Sequence, residues 1–102
     1  MKIYVDLDNT LLISRLPDYD IVTSIQNRIQ HINALYEKGH EIVIYTARGS
    51  ATGKDWKEKT EEQLKQYGIH YHRLDIGNKP DYDLLIDDKA ISAETLDLLP
   101  LP

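Results

Sequence analysis

The chain contains no cysteine, which excludes disulfides, thiolate metal sites and a cysteine nucleophile. The same absence fits a reducing compartment. Phenylalanine is also missing and tryptophan occurs once, at Trp56, so tyrosine carries the aromatic content. There is no run of lysine or arginine, and the net charge is −5. A groove for duplex or long single-stranded nucleic acid is normally basic, so nucleic acid is disfavoured as a partner. No stretch is apolar over the length a bilayer crossing needs, and Asp6 and Asp8 interrupt any secretory signal core. A soluble, cytoplasmic protein without a membrane partner is the expectation. An apolar content of 41% is ordinary for a globular chain and argues against disorder. One domain, 1–102, with one core and no linker is what this length accommodates.

What is present is organised around Lys2-Ile3-Tyr4-Val5-Asp6-Leu7-Asp8-Asn9-Thr10. Ile3, Tyr4 and Val5 read as a short strand of the kind parallel sheets bury on both faces. Two carboxylates follow where that strand should run out, and alternation puts Asp6 and Asp8 on the same side of an extended chain. Taken alone, such a pair is more often an ordinary surface loop than a site.

Residues 11–20, with Pro17, read as a loop. Ile21, Ile25, Ile29, Ile32 and Leu35/Tyr36 then fall on one helical face, ended by Gly39. Glu41-Ile42-Val43-Ile44-Tyr45 is a second strand and closes on Thr46-Ala47-Arg48-Gly49. The small, polar stretch 49–54 is a loop. Asp55 with Glu58 resembles a capping box, and Trp56, Thr60, Leu64 and Tyr67 form the inward stripe of a helix stopped by Gly68. A third strand is expected over 69–74. A turn holding Gly77, Asn78 and Pro80 leads to a fourth over 83–86, ending on Asp87-Asp88. Ser92 caps a last helix through Leu99, with Pro100 and Pro102 beyond. This alternation predicts an α/β fold, an open parallel sheet with helices on both faces and right-handed crossovers.

In such sheets ligands bind outside the carboxyl ends of the strands. Three of the four predicted strands carry polar chemistry there: Asp6/Asp8, Thr46 and Asp87/Asp88, with Lys79 in the turn before the fourth. Two like charges about 4 Å apart cost about 4 kcal/mol at an effective dielectric of about 20. Four converging carboxylates would therefore demand protonation or a cation. An all-oxygen cluster suits a hard ion, Mg²⁺ first.

The set Asp6-Leu7-Asp8-Asn9-Thr10, Thr46, Lys79 and Asp87-Asp88, in this order, resembles the haloacid dehalogenase (HAD) superfamily of phosphotransferases. Tyr45-Thr46-Ala47-Arg48-Gly49 and Lys79-Pro80-Asp81-Tyr82-Asp83 look most like its small capless members that act as capsule or polysaccharide biosynthesis phosphatases. The resemblance implies a HAD-like (Rossmannoid) core, with strand order 3-2-1-4 in the numbering of the four predicted strands. It implies a phosphomonoester hydrolase in which Asp6 is the nucleophile and Asp8 the general acid and then base. Thr46 and nearby backbone N–H groups, of Leu7 and Ala47, would hold the phosphoryl oxygens, and Lys79 would neutralise charge. Mg²⁺ would be bound by Asp6, the Asp8 carbonyl and the Asp87/Asp88 pair. With only short loops at 11–20 and 75–78 there is no cap, and a homo-oligomer is expected to screen the site. The implied substrate is a small phosphate ester such as a sugar phosphate.

Other readings are open to the same residues. Arg48 could touch substrate or form an ion pair. Trp56 suits a core anchor and Asp55 an N-cap. His31, His40, His70 and His72 lie outside the motifs and read as structural or solvent-facing. The alternatives in function are a phosphatase of nucleic-acid ends or phosphoproteins, and a receiver-like module that accepts a phosphoryl group without being an enzyme. The second is disfavoured because the middle strand ends on Thr46 with no aspartate.

Overall fold

The computed structural model describes residues 1–15, 18–48, 55–79 and 83–98. Pro17, the loop 49–54, Pro80, Asp81, Tyr82, Leu99, Pro100 and Pro102 lie outside the described residues. In chain order the elements are β1 (Lys2–Asp6), β2 (Leu12–Arg15), β3 (Asp18–Ser24), α1 (Gln26–Glu37), β4 (Glu41–Thr46), α2 (Lys57–Gln66), β5 (Arg73–Ile76) and α3 (Ala93–Leu96).

β1, β4 and β5 form a parallel sheet in the order β1-β4-β5. Asp6 pairs with Tyr45, and Thr46 with Ile76, so the three strands finish at one rim. The central position of β4 explains its continuous apolar run: Ile42, Val43 and Ile44 are fully buried, as a strand covered on both sides must be. Ile29, Ile32 and Leu35 of α1 and Leu64 of α2 complete this core together with Leu7, Leu11, Leu12, Ile69 and Leu96. Both long helices end in the same way. Gly39 and Gly68 adopt left-handed φ (95° and 68°), and the two N–H groups from each glycine onward close on carbonyls of the last turn.

The α/β architecture and the adjacency of the first three predicted strands agree with expectation, and several details differ. Residues 11–20 do not form a loop: Leu12–Arg15 and Asp18–Ser24 make an antiparallel hairpin, with Leu12 opposite Ser24 and Ser14 opposite Val22. Consequently α1 starts at Gln26, not at Ile21. The four-residue spacing of Ile21 and Ile25 mimics a helix, but Ile21-Val22-Thr23 is β-branched and pairs as a strand. The third strand occupies 73–76 instead of 69–74, because Ile69 packs into the core as part of the α2 terminus.

The fourth expected strand is not formed among the described residues. Over 83–91 the chain forms neither helix nor strand, with Leu84 and Ile86 exposed by 76% and 88%. A run this short, flanked by Asp83, Asp87 and Asp88, gains few ladder hydrogen bonds to offset the entropy of ordering it. β1 therefore stands at an edge of its sheet. The chain is fastened again at α3, where Ser92 Oγ accepts from the Thr95 N–H at 3.2 Å and Leu96 is buried. Arg28 on α1 grips Asp97 with a fork, Nε to Oδ1 at 3.1 Å and Nη2 to Oδ2 at 3.0 Å.

Two outcomes follow from this packing. Leu64→Ala should lower the unfolding free energy by about 3 kcal/mol in urea titration, since Leu64 is fully buried and the hole cannot collapse against β-strands. The Arg28 hydrogen bonds hold the Asp97 carboxyl below the usual carboxylate range. A depressed folded value means stability that is present above the ordinary aspartate value and lost as pH falls through the depressed one. The docking of α3 should thus weaken below about pH 4, seen as loss of the buried Leu96 methyl shifts by NMR. Asp97→Asn should remove that acid-dependent step.

Candidate active site

The rim is built by a tight turn at the end of β1. The Leu7 carbonyl accepts from the N–H groups of Thr10, Leu11 and Leu12 at 3.3, 3.0 and 3.1 Å. Asn9 sits in the left-handed region at φ 66°, a conformation asparagine tolerates better than most side chains. Leu7, Leu11 and Leu12 are all fully buried and anchor the turn from beneath. The chain therefore reverses into β2 directly over the two acids. Thr10 Oγ1 donates to Asp6 Oδ2 at 3.0 Å, and Ser14 Oγ donates to Asp8 Oδ1.

The end of β4 supplies the next layer. Thr46 Oγ1 donates to Asp8 Oδ2 at 2.8 Å and accepts the Arg48 backbone N–H at 3.2 Å. Arg48 Nε lies 3.1 Å from both Asp8 oxygens, and Nη2 is 2.7 Å from Oδ1. The end of β5 supplies the last piece. The Gly77 N–H donates to the Thr46 carbonyl at 2.9 Å, which sets the turn leading to Lys79 against β4. Lys79 Nζ then donates to Asp6 Oδ1 at 2.6 Å and lies 5.2 Å from the centre of the Tyr45 ring. Asp6, Asp8, Thr46, Arg48 and Lys79, spread over 73 positions of sequence, meet at one place.

Several expected roles meet a different geometry. The Leu7 N–H donates to the Tyr45 carbonyl at 3.3 Å, extending the ladder, so it does not face an incoming phosphate. Ala47 follows Thr46 directly and is half-buried. The Arg48 side chain is fully buried and faces Asp8, so of the two expectations for it the guanidinium forms the ion pair, here a buried one. Asp87 and Asp88 are exposed, because the segment carrying them is not paired to β1. Hydrogen bonding, first from the Lys89 N–H, holds the Asp87 carboxyl below its usual range. Asp87 lines one groove together with Asp6, Thr10, Tyr45 and Leu85.

The four acids do not gather into a cluster. Among the described residues no three histidine, aspartate or glutamate side chains are placed to hold one metal ion. Two carboxylates converge, and each has its own cation: Lys79 on Asp6 and Arg48 on Asp8. The repulsion that called for an ion is thereby largely offset.

Thr10, Ser14, Thr60 and Gln63 belong to the site although the sequence reading assigned them no role there. Thr60 and Gln63 were detectable as two polar residues three apart on the buried face of α2, beside Leu64. Trp56 is buried, as a core anchor should be. Asp55 Oδ1 accepts the Lys57 N–H at 3.0 Å at the start of α2. His72 Nδ1 accepts the Ile42 N–H at 3.0 Å, away from the rim.

Compared with known proteins, the chain matches no family model and no curated protein. It is similar to a crystal structure described as an MCSG target from Vibrio cholerae, at 29% identity. That likeness covers 99% of this chain and 91% of the other, with a TM-score of 0.84.

Proposed function

We propose that this protein is a phosphomonoester hydrolase of the HAD type, working through an aspartyl-phosphate on Asp6. The observation that carries the reading is the placement of Asp6 at the end of a parallel strand, with the Lys79 ammonium on one oxygen and Asp8 beside it on the same rim. A carboxylate so placed is oriented for attack, and the cation that holds it also compensates charge on an arriving phosphate. An Asp6 oxygen attacks phosphorus and the bond to the alcohol oxygen breaks as Asp8 supplies its proton. Water then attacks phosphorus, Asp8 takes a proton from it, and inorganic phosphate leaves with Asp6 restored.

A groove of about 840 Å³ runs along the open edge of β1 from Met1 to Asp6 and reaches the acids only at its Asp6–Thr10 end, so the choice of a small ester such as a sugar phosphate rests on the resemblance read in the sequence. Mg²⁺ belongs to the proposal on donor chemistry alone: Asp6 with the Asp87/Asp88 pair would hold it once brought together, and it would add to charge neutralisation. A homo-oligomer and a cytoplasmic setting rest on the sequence. No helix among the described residues is long and apolar enough to cross a membrane.

Asp6→Asn should leave the fold intact by circular dichroism and lower turnover of an aryl phosphate by more than about 10³-fold. Turnover at the wild-type rate would remove Asp6 from the reaction. Phosphate release should be followed on sugar phosphates, nucleotides and phosphopeptides, with highest kcat/KM expected on sugar phosphates. Millimolar Mg²⁺ should raise Tm by about 2–4 °C and Asp87→Asn should diminish the rise. Equal Tm and equal rates in chelator would take the ion out of the proposal and leave the Asp6 chemistry standing.

A further inference from the structure

Arg48 is the largest fully buried side chain of the described residues. A guanidinium out of water is tolerated only when its charge and its donors are met. Its Nε and Nη2 hold Asp8, as described above. On the other side Nη1 donates to Thr60 Oγ1 at 3.0 Å and to Gln63 Oε1 at 2.6 Å. Thr60 and Gln63 are themselves buried and belong to α2. The guanidinium plane is thus fixed between a helix and the acid. With Thr46 and Ser14 also donating to Asp8, both carboxylate oxygens are held in place, while 20% of the Asp8 side chain stays open to solvent.

We infer that Arg48 is a positioning residue: it sets the orientation of Asp8 from behind and ties it to α2 through Thr60 and Gln63, without touching substrate. This rests on the proposed role of Asp8 in the reaction. A lysine could restore the charge but not the planar fork that meets two oxygens and two α2 acceptors at once. Gln63 serves as the second point of attack, because Gln63→Leu keeps the Asp8 ion pair and the Thr60 contact and removes one of the two α2 acceptors of Nη1.

The experiment combines kinetics with a signal that needs no turnover. In ¹⁵N-labelled wild-type protein the Arg48 Nε–H resonance should be sharp and slowly exchanging, and it should shift in both Asp8→Asn and Gln63→Leu. Arg48→Lys should lose about 30-fold or more in kcat, with KM and the affinity for inorganic phosphate changed less than about threefold. Gln63→Leu should lose about three- to tenfold in kcat, again with little change in KM. Guanidinium ion added to Arg48→Ala should restore part of the lost kcat. A rapidly exchanging Nε–H would overturn the inference whatever the activity. So would a rise in KM with kcat retained, which would make Arg48 a substrate contact, or kcat unaltered in both folded variants, which would make it structural only. If the wild-type protein hydrolyses no phosphate ester while the resonance behaves as stated, the phosphatase reading fails and the Asp8–Arg48–Gln63 linkage stands.

Discussion

Pairing of Asp6 with Tyr45 across the β1–β4 ladder sets the acids of the first strand beside the residues that leave the second. A slip of one residue would turn every side chain of β1 to the other face, so this register is a constraint and not a convenience. It is enforced by burial. Ile42 to Ile44 can be fully covered only if β4 lies between two partners, and Val5 and Leu7 must point into the same core. Once the ladder is fixed, Thr46 falls within hydrogen-bond reach of Asp8, and the turn after β5 carries Lys79 to Asp6.

Charge is balanced within the rim by the protein itself. Two like carboxylates close together cost several kcal/mol in a partly buried setting, roughly the scale of a marginal domain stability. Here each acid is matched by one cation, but the two pairs differ in kind. Lys79 keeps 17% of its side chain exposed and rests along the Tyr45 ring. Arg48 is sealed behind Asp8 and cannot leave without stranding a buried charge. The proposed nucleophile thus carries a cation that is partly exposed, and the proposed acid–base one that is fully buried.

Much of this was legible before any coordinates. Ile42 to Ile44 are β-branched and continuous, which marks the central parallel strand, whereas the similar run Ile3-Tyr4-Val5 belongs to the edge strand β1 and leaves Tyr4 exposed; polar residues just beyond both runs mark the rim. Gly39 and Gly68 ended the helices where a left-handed residue is needed. The hairpin 12–24 was hidden because Ile21 and Ile25 satisfy both a strand and a helix period, and the turn on Leu7 that decides between them depends on hydrogen bonds no spacing reveals. The run at 84–86 looked like a strand by composition, yet strand formation depends on a neighbour, and β1 offers its edge to a segment bounded by acids. Arg48 was ambiguous for a related reason: whether a charge is buried is a property of what packs over it, in this case Thr60 and Gln63, twelve and fifteen residues away.

The central claim is covalent chemistry at the end of β1, and it is tested most directly by trapping the intermediate. Protein turning over an aryl phosphate is quenched in acid within milliseconds and its peptides are examined by mass spectrometry. A phosphoryl group on Asp6, lost on treatment with hydroxylamine, is the predicted result. A phosphoryl group on a histidine or serine instead, or steady turnover with Asp6 unmodified under every quench condition, would contradict the account.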